Sequence, residues 1–524
     1  MKRITLLMTL IALAAGFLLI GCAGKPAGSP ANRGKAAAPS VSGKTTPPPT
    51  ETKSPPVKEE PPVPVFDAEA TLNAADKCLQ ERDYPNALKL YQEIVKNVNK
   101  DDELLPSTYY NIACIYSLMK QKEPALENLD KSVQSGYDNN EWMDRDTDLD
   151  FLREMPEYKA IVDKIPPIIE LKPTEEDEKA QEEALRLIEQ YRGLKCIEPP
   201  KYKILEPKQF ERAFGGSADS IQGFYRWADK TLYLKTGLDP ARSKGTRIHE
   251  TFHAFQDQLY NIGELHKQVK TTDANYALTA LIEGDATLTF IECMPESMAR
   301  MMLFMDAPWR MGGKPRYDNS RQGEAASRKG AFGYSIAANF VLAVKEATGW
   351  EGVNSLYTNL PLSTEWVLHP EKCIIPDVTS VPVVVALPDF SGILGEGWQV
   401  SQQDTQGEFG LLLNLLTNDK SGPLAENAAA GWGGDSYIMA TNQAKMQQFF
   451  IQKTVWDSPK DAQEFYDASG LTFGSDTPVE QNANHIKYKN TNGTVDYVSI
   501  KGSAVNIVYN IQENLLDKVI PALD

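Results

Sequence analysis

The run Arg247-Ile248-His249-Glu250-Thr251-Phe252-His253-Ala254-Phe255-Gln256 constrains this chain more than any other stretch. Residues four apart share one face of a helix, so His249 and His253 can offer two imidazole nitrogens to one metal ion while Glu250 points into the same cleft. Ile248, Phe252 and Phe255 recur at helical spacing, which predicts a helix anchored by a buried apolar face with its histidine face lining a cavity. The alternative is an amphipathic helix that happens to carry histidines. With only 5 His in the whole chain, two of them flanking a Glu at this interval weigh against it.

Two imidazoles do not complete a catalytic zinc site, which takes three protein ligands and leaves a position for water. Downstream, Ala280-Leu281-Ile282-Glu283-Gly284-Asp285-Ala286 sets an acidic pair inside the apolar run from Tyr276 to Ile291. Carboxylates are seldom placed on a buried helical face without a partner. Glu283 is therefore the expected third ligand, and one zinc ion the expected cofactor. Asp285 is the second choice, because residues two apart face different ways, and a surface Glu-Gly-Asp turn is the plain alternative.

Read as a string, His249 to Gln258 is HETFHAFQDQ, and ALIEGDA follows it. This resembles the gluzincin class of zinc metallopeptidases, in which HExxH and a more distant Glu on a second helix bind the metal. More narrowly, it is similar to a bacterial family of secreted or membrane-anchored metallopeptidases with HExxHAxQDQ, an EGDA helix, a TExxLHPEK segment and a GWGGD segment. Ser363 to Lys372 and Gly431 to Asp435 supply the last two here, in that order. The resemblance covers roughly Lys201 to the C-terminus. The gap to Glu283 is longer than in thermolysin-like or aminopeptidase-type gluzincins, so their other catalytic residues cannot be carried over by spacing. The resemblance implies a zincin-like α+β domain in which zinc lowers the pKa of its water, and Glu250 is the general base and then the proton donor to the leaving amine. Tyr334 and His369 are candidates for the hydrogen-bond donor to the oxyanion, and either could equally be a structural group.

The rest of the chain reads as a mount for this domain. Met1 to Cys22 has a basic start, an apolar run from Ile4 to Ile20 and the ending Leu19-Ile20-Gly21-Cys22, a signal peptide too short for a stable transmembrane helix. That ending resembles the bacterial lipobox, which implies lipidation at Cys22, and Ala23 after it implies outer-membrane sorting. Residues 23–65 are rich in Pro, Ala, Ser, Gly and Lys, with too few large apolar side chains to offset ordering entropy; they are expected to be a partly extended tether. Residues 66–170 show helical hairpins with small Ala residues at close approaches, like two tetratricopeptide repeats capped by residues 136–162. Such an array either binds a protein partner or acts as a spacer. Five further cysteines at scattered positions give neither a disulfide framework nor a metal knuckle.

Within the expected peptidase domain, 171–424, Thr231-Leu232-Tyr233-Leu234 is predicted to be the strand before the HExxH helix, lining the cleft where an extended peptide could pair with its edge. Helices are expected at 335–347 and 353–357, and a strand at 381–387. From about 425 to 524 strands dominate, with a tight turn at Asn492-Gly493, and read as a small α+β subdomain. A net charge of −17 argues against nucleic acid or anionic membrane surfaces as partners. No phosphate loop, dinucleotide fingerprint or serine elbow appears. The expectation is a multidomain, lipid-anchored zinc metallopeptidase of the cell envelope acting on peptides or proteins. The alternative is a non-catalytic scaffold lipoprotein with a vestigial zincin domain, which gives Glu250 no purpose.

Overall fold

Alanines set how closely the first helices approach one another. The computed structural model describes residues 66–80, 82–214, 221–294, 321–376, 380–418, 420–442, 447–472 and 477–523. The expected leader, Cys22 and the tether lie outside the described residues. The chain divides into two compact units, with the change between Pro167 and Ile168.

The first unit is helical. α1 (Ala68–Gln80) packs on α2 (Tyr84–Asn97), and α3 (Leu105–Leu118) on α4 (Lys122–Gln134). Arg82 and Lys120 take the same left-handed conformation, φ 57° and 59°, just ahead of the second helix of each hairpin. Asp83 then caps α2 by accepting the Asn86 N–H. Ala75, Ala87, Ala113 and Ala125 are fully buried, and their small side chains let the helix axes come close. α5 (Asn140–Arg145) and α6 (Pro156–Val162) finish the unit, where Met143, Leu149, Leu152, Tyr158 and Ile161 bury against Tyr110, Ala113 and Leu129.

In the second unit, α7 (Glu175–Arg192) starts at a reciprocal cap between Thr174 and Asp177 and stops at Gly193, φ 71°. β1 (Lys201–Leu205), β2 (Gly223–Arg226) and β3 (Thr231–Lys235) form a sheet in the order β1-β3-β2, with β1 parallel and β2 antiparallel to β3. The strand expected to offer its edge is thus the central one, and β1 and β2 are the outer strands. The parallel return of β1 takes the other side of β3, a long-range pairing that local alternation does not reveal.

Helices α8 (Pro207–Phe214), α9 (Pro240–Tyr260), α10 (Ile262–Gln268) and α11 (Thr272–Glu292) follow. α12 (Arg321–Ala331) runs through a π-helical turn at Phe332–Ile336 into α13 (Ala337–Ser355). Gly349, φ 72°, breaks α13 between the two helices expected there. α14 (Thr364–Leu368) and α15 (Pro370–Ile374) carry the LHPEK segment. Val381 to Leu387, expected as a strand, forms none: Val383 donates its N–H to the Gly433 carbonyl, Pro382 and Pro388 have none to donate, and Val384 is 94% exposed.

The remaining strands are β4 (Gln399–Asp404), β5 (Trp432–Asn442), β6 (Gln447–Trp456), β7 (Glu480–Gln481), β8 (His485–Lys489), β9 (Val495–Lys501) and β10 (Ala504–Ile511). They form an antiparallel sheet of seven in the order β4-β5-β6-β10-β9-β8-β7. Between β4 and β5 lies α16 (Gly407–Leu416). One face of the sheet meets α17 (Pro459–Gly470) through Phe465 and Tyr466, with Val498, Val505 and Ile507. The other meets α18 (Glu513–Leu523), whose Leu515, Leu516 and Val519 cover Ile438, Ile451 and Val508. The first of these cores also contains Leu278, Leu281, Phe340 and Phe409, so it runs from α11 to the sheet. The boundary expected at residue 425 falls inside this unit, and β4, ahead of it, already pairs with β5.

Candidate metal centre

α9 is fixed at both ends before it positions anything. Asp239 accepts the Arg242 N–H at 3.1 Å, Pro240 occupies the first turn, and Asn261 ends the helix at φ 52°. Ile248, Phe252 and Phe255 are fully buried against Ala184, Leu187 and Ile188 of α7 and Ala286 of α11. Each such burial is worth about 1.5–3 kcal/mol, which holds the helix against rotation. The opposite face carries His249 and His253.

Three side chains meet there. His249 Nε2 lies 3.1 Å from His253 Nε2 and 3.3 Å from Glu283 Oε2, and His253 Nε2 is 3.6 Å from the same oxygen. Ligand atoms about 2.0–2.1 Å from a tetrahedral zinc stand roughly 3.3–3.4 Å apart, so the three atoms fit such an ion. His249 and Glu283 keep 15% and 23% side-chain exposure, which leaves the site open on that side. Burial opposes a charge on His253, but the Glu283 carboxylate more than offsets this and holds the imidazole at about 9. The same pairing holds Glu283 well below the usual carboxylate range despite its burial.

Glu283 reaches the site because α11 and α13 cross closely beside it. A Cβ on Gly284 would lie 2.3 Å from the Ala337 carbonyl oxygen, so only glycine admits this approach. Glu250 stands in the same cluster, buried, and accepts the Tyr225 backbone N–H of edge strand β2. Burial raises its pKa, and the two imidazoles oppose the rise. The Trp227 ring lies 5.8 Å from that of His253 and flanks the site.

Asp285 is not beside these atoms. It is fully buried in a two-point ion pair with Arg192, Nε to Oδ1 at 3.0 Å and Nη2 to Oδ2 at 3.1 Å, and also accepts the Tyr357 hydroxyl at 3.1 Å. Tyr357 in turn accepts from Gln256 Nε2 at 2.7 Å, and Gln256 Oε1 lies 2.8 Å from His253 Nδ1. Sequence reasoning missed Gln256, Tyr357 and Arg192. Nothing local marks them, because their partners come from segments distant in the chain.

The two oxyanion candidates have different surroundings. Tyr334 lies in the π-helical turn, 58% exposed, one turn ahead of the Ala337 that touches Gly284. His369 donates or accepts through Nε2 with buried Glu408 at 2.9 Å, and this bond raises its pKa above the ordinary value against burial. Around it the two remaining segments of the resemblance meet each other. Lys372 bridges Glu365 at 2.6 Å and Asp457 at 3.1 Å, and the Asp457 N–H is donated to the Gly431 carbonyl. Asp435 accepts from the backbone N–H groups of Gln406 and Gly407. These contacts join the LHPEK and GWGGD segments to the base of the sheet.

Comparison with known proteins adds one match. A family described as a domain of unknown function, DUF8575, matches residues 397–520, the sheet and the helices on it. No curated protein and no solved structure matches the chain.

Proposed function

We propose that the chain is a zinc-dependent metallopeptidase of the gluzincin type, held at a bacterial membrane through lipid on Cys22. The observation that carries this reading is the triangle of His249, His253 and Glu283 ligand atoms, 3.1–3.6 Å on a side, with buried Glu250 next to it. Zinc held there would supply positive charge that acidifies a water and polarises a peptide carbonyl. Glu250 takes the water proton on its carboxylate and returns it to the departing amine. Tyr334 and His369 are the two candidates for the oxyanion donor, Tyr334 exposed in the π-helical turn and His369 bonded to buried Glu408. The helical hairpins are read as tetratricopeptide-like repeats that present the peptidase or a partner, and the second unit as zincin-like.

Metal analysis of the purified protein should give about one zinc per chain. His253→Ala should lose it, whereas Glu250→Gln should retain zinc and fold but lose hydrolysis of a peptide library. Full zinc in His253→Ala, or parental cleavage by Glu250→Gln, overturns the reading.

A further inference from the structure

Gln256 is joined to both helices of the candidate site, and its hydrogen bonds leave it a single orientation. Its Nε2 donates to the Ile282 carbonyl at 2.8 Å and to the Tyr357 hydroxyl at 2.7 Å. A backbone carbonyl only accepts, so the amide nitrogen must be the atom facing Ile282, and Oε1 must face His253. Oε1 in turn only accepts, so the proton between it and His253 belongs to Nδ1. The chain beyond it runs one way too. Tyr357 has accepted from Gln256 and so gives its own proton to Asp285, whose two oxygens face the Arg192 guanidinium. Every one of these side chains is buried.

Resting on the zinc reading above, we infer that Gln256 is the positioning residue of the site, and that the relay Arg192–Asp285–Tyr357–Gln256 fixes the tautomer and ring angle of His253. It does so by placing hydrogen on Nδ1 and turning the Nε2 lone pair toward His249 and Glu283. The Ile282 bond gives Gln256 a second effect. Ile282 immediately precedes Glu283, so the same amide ties the histidine helix to the carboxylate helix at the residue next to the third ligand. The HExxHAxQ and EGDA strings are thus joined through Tyr357, which accepts from Gln256 and donates to Asp285, and beside it through the Gln256–Ile282 bond. A ligand imidazole whose other nitrogen is held this way binds metal 10–100-fold more tightly than one left free, by the usual worth of such supporting bonds.

The test uses the purified protein labelled with 15N at histidine, a simple spectrum because the chain has 5 His. In the zinc-loaded parent, His253 should show a slowly exchanging Nδ1–H. Gln256→Leu, of similar size, should lose that signal and weaken zinc binding about 10–100-fold in competition with a chelating fluorophore, with an unchanged circular dichroism spectrum. Tyr357→Phe removes one of the two bonds that hold the amide and should weaken zinc binding by a smaller factor, which decides the matter if Gln256→Leu does not fold. Zinc affinity within twofold of the parent in every folded variant, or an Nδ1–H that persists without Gln256, overturns the inference. His253→Ala separates the two readings. If it keeps zinc, the metal assignment itself fails; if it loses zinc while Gln256→Leu and Tyr357→Phe do not, only the relay fails.

Discussion

Replacing Asp285 by Asn should destabilise the second unit far more than its distance from the metal ligands suggests. Both partners of the Arg192–Asp285 pair have fully buried side chains. The guanidinium stacks 4.0 Å over the Trp350 ring, donates to Asn354 Oδ1 at 2.6 Å, and its Nη1 has no acceptor among the described residues. Asp285→Asn would leave a cation in this setting with no anion to balance it, a loss of about 3–5 kcal/mol. The unit spans roughly 350 residues, so its unfolding entropy near 60 °C is about 0.7 kcal/mol/K and the expected drop in Tm is about 4–7 °C. Removing both charges together, Arg192→Met with Asp285→Leu, should cost at least 2 kcal/mol less than the sum of the two single changes, because neither ion is then left unpaired. Tyr357 loses its acceptor in the double variant, about 1–3 kcal/mol, so full recovery is not expected. Thermal melting followed by calorimetry and tryptophan fluorescence measures the parent, Asp285→Asn, the two single changes and the double change. If Asp285→Asn melts within 1 °C of the parent, or the double change is simply additive, the pair does not have the role assigned to it.

Glu283→Ala should raise the Kd for zinc by more than about 100-fold, since even a residue that only supports a ligand is worth 10–100-fold, while Asp285→Asn should do less. A titration in which Asp285→Asn loses zinc and Glu283→Ala does not would reverse the ligand assignment. Stability should also depend on pH through two buried carboxyls away from the site, Asp273 in the first turn of α11 and Glu365 on α14. Burial pushes both Asp273 and Glu365 up to about 7, against hydrogen bonds from Thr364 and Lys372 respectively. A carboxyl whose folded pKa lies above its unfolded value of about 4 stabilises most below pH 4 and loses that contribution as pH rises through 7. The second unit should therefore gain less than its ordinary pH profile would give between pH 5 and 8. Asp273→Asn, which keeps an acceptor for the Thr364 N–H, should flatten that part of the melting curve against pH; an unchanged profile would show that Asp273 is ionised throughout.

What the residues determined alone was local. The HExxH face, the buried face of Ile248, Phe252 and Phe255, and the apolar run around Glu283 follow from a helical period that neighbouring residues set among themselves. The strands from Ser436 to Ile511 and the turn at Asn492-Gly493 were legible for the same reason, since alternation and a glycine at φ 85° are short-range properties. Strand order, helix crossings and the partners of buried charges belong to the tertiary structure. β3 is central because it enters between β1 and β2, and Gly284 lets α13 approach α11 beside Glu283. A buried polar atom must find a partner, but its choice depends on which distant segment packs against it. Hence Asp285 pairs with Arg192, His369 with Glu408 and Gln256 with Tyr357, each a contact between segments far apart in the chain.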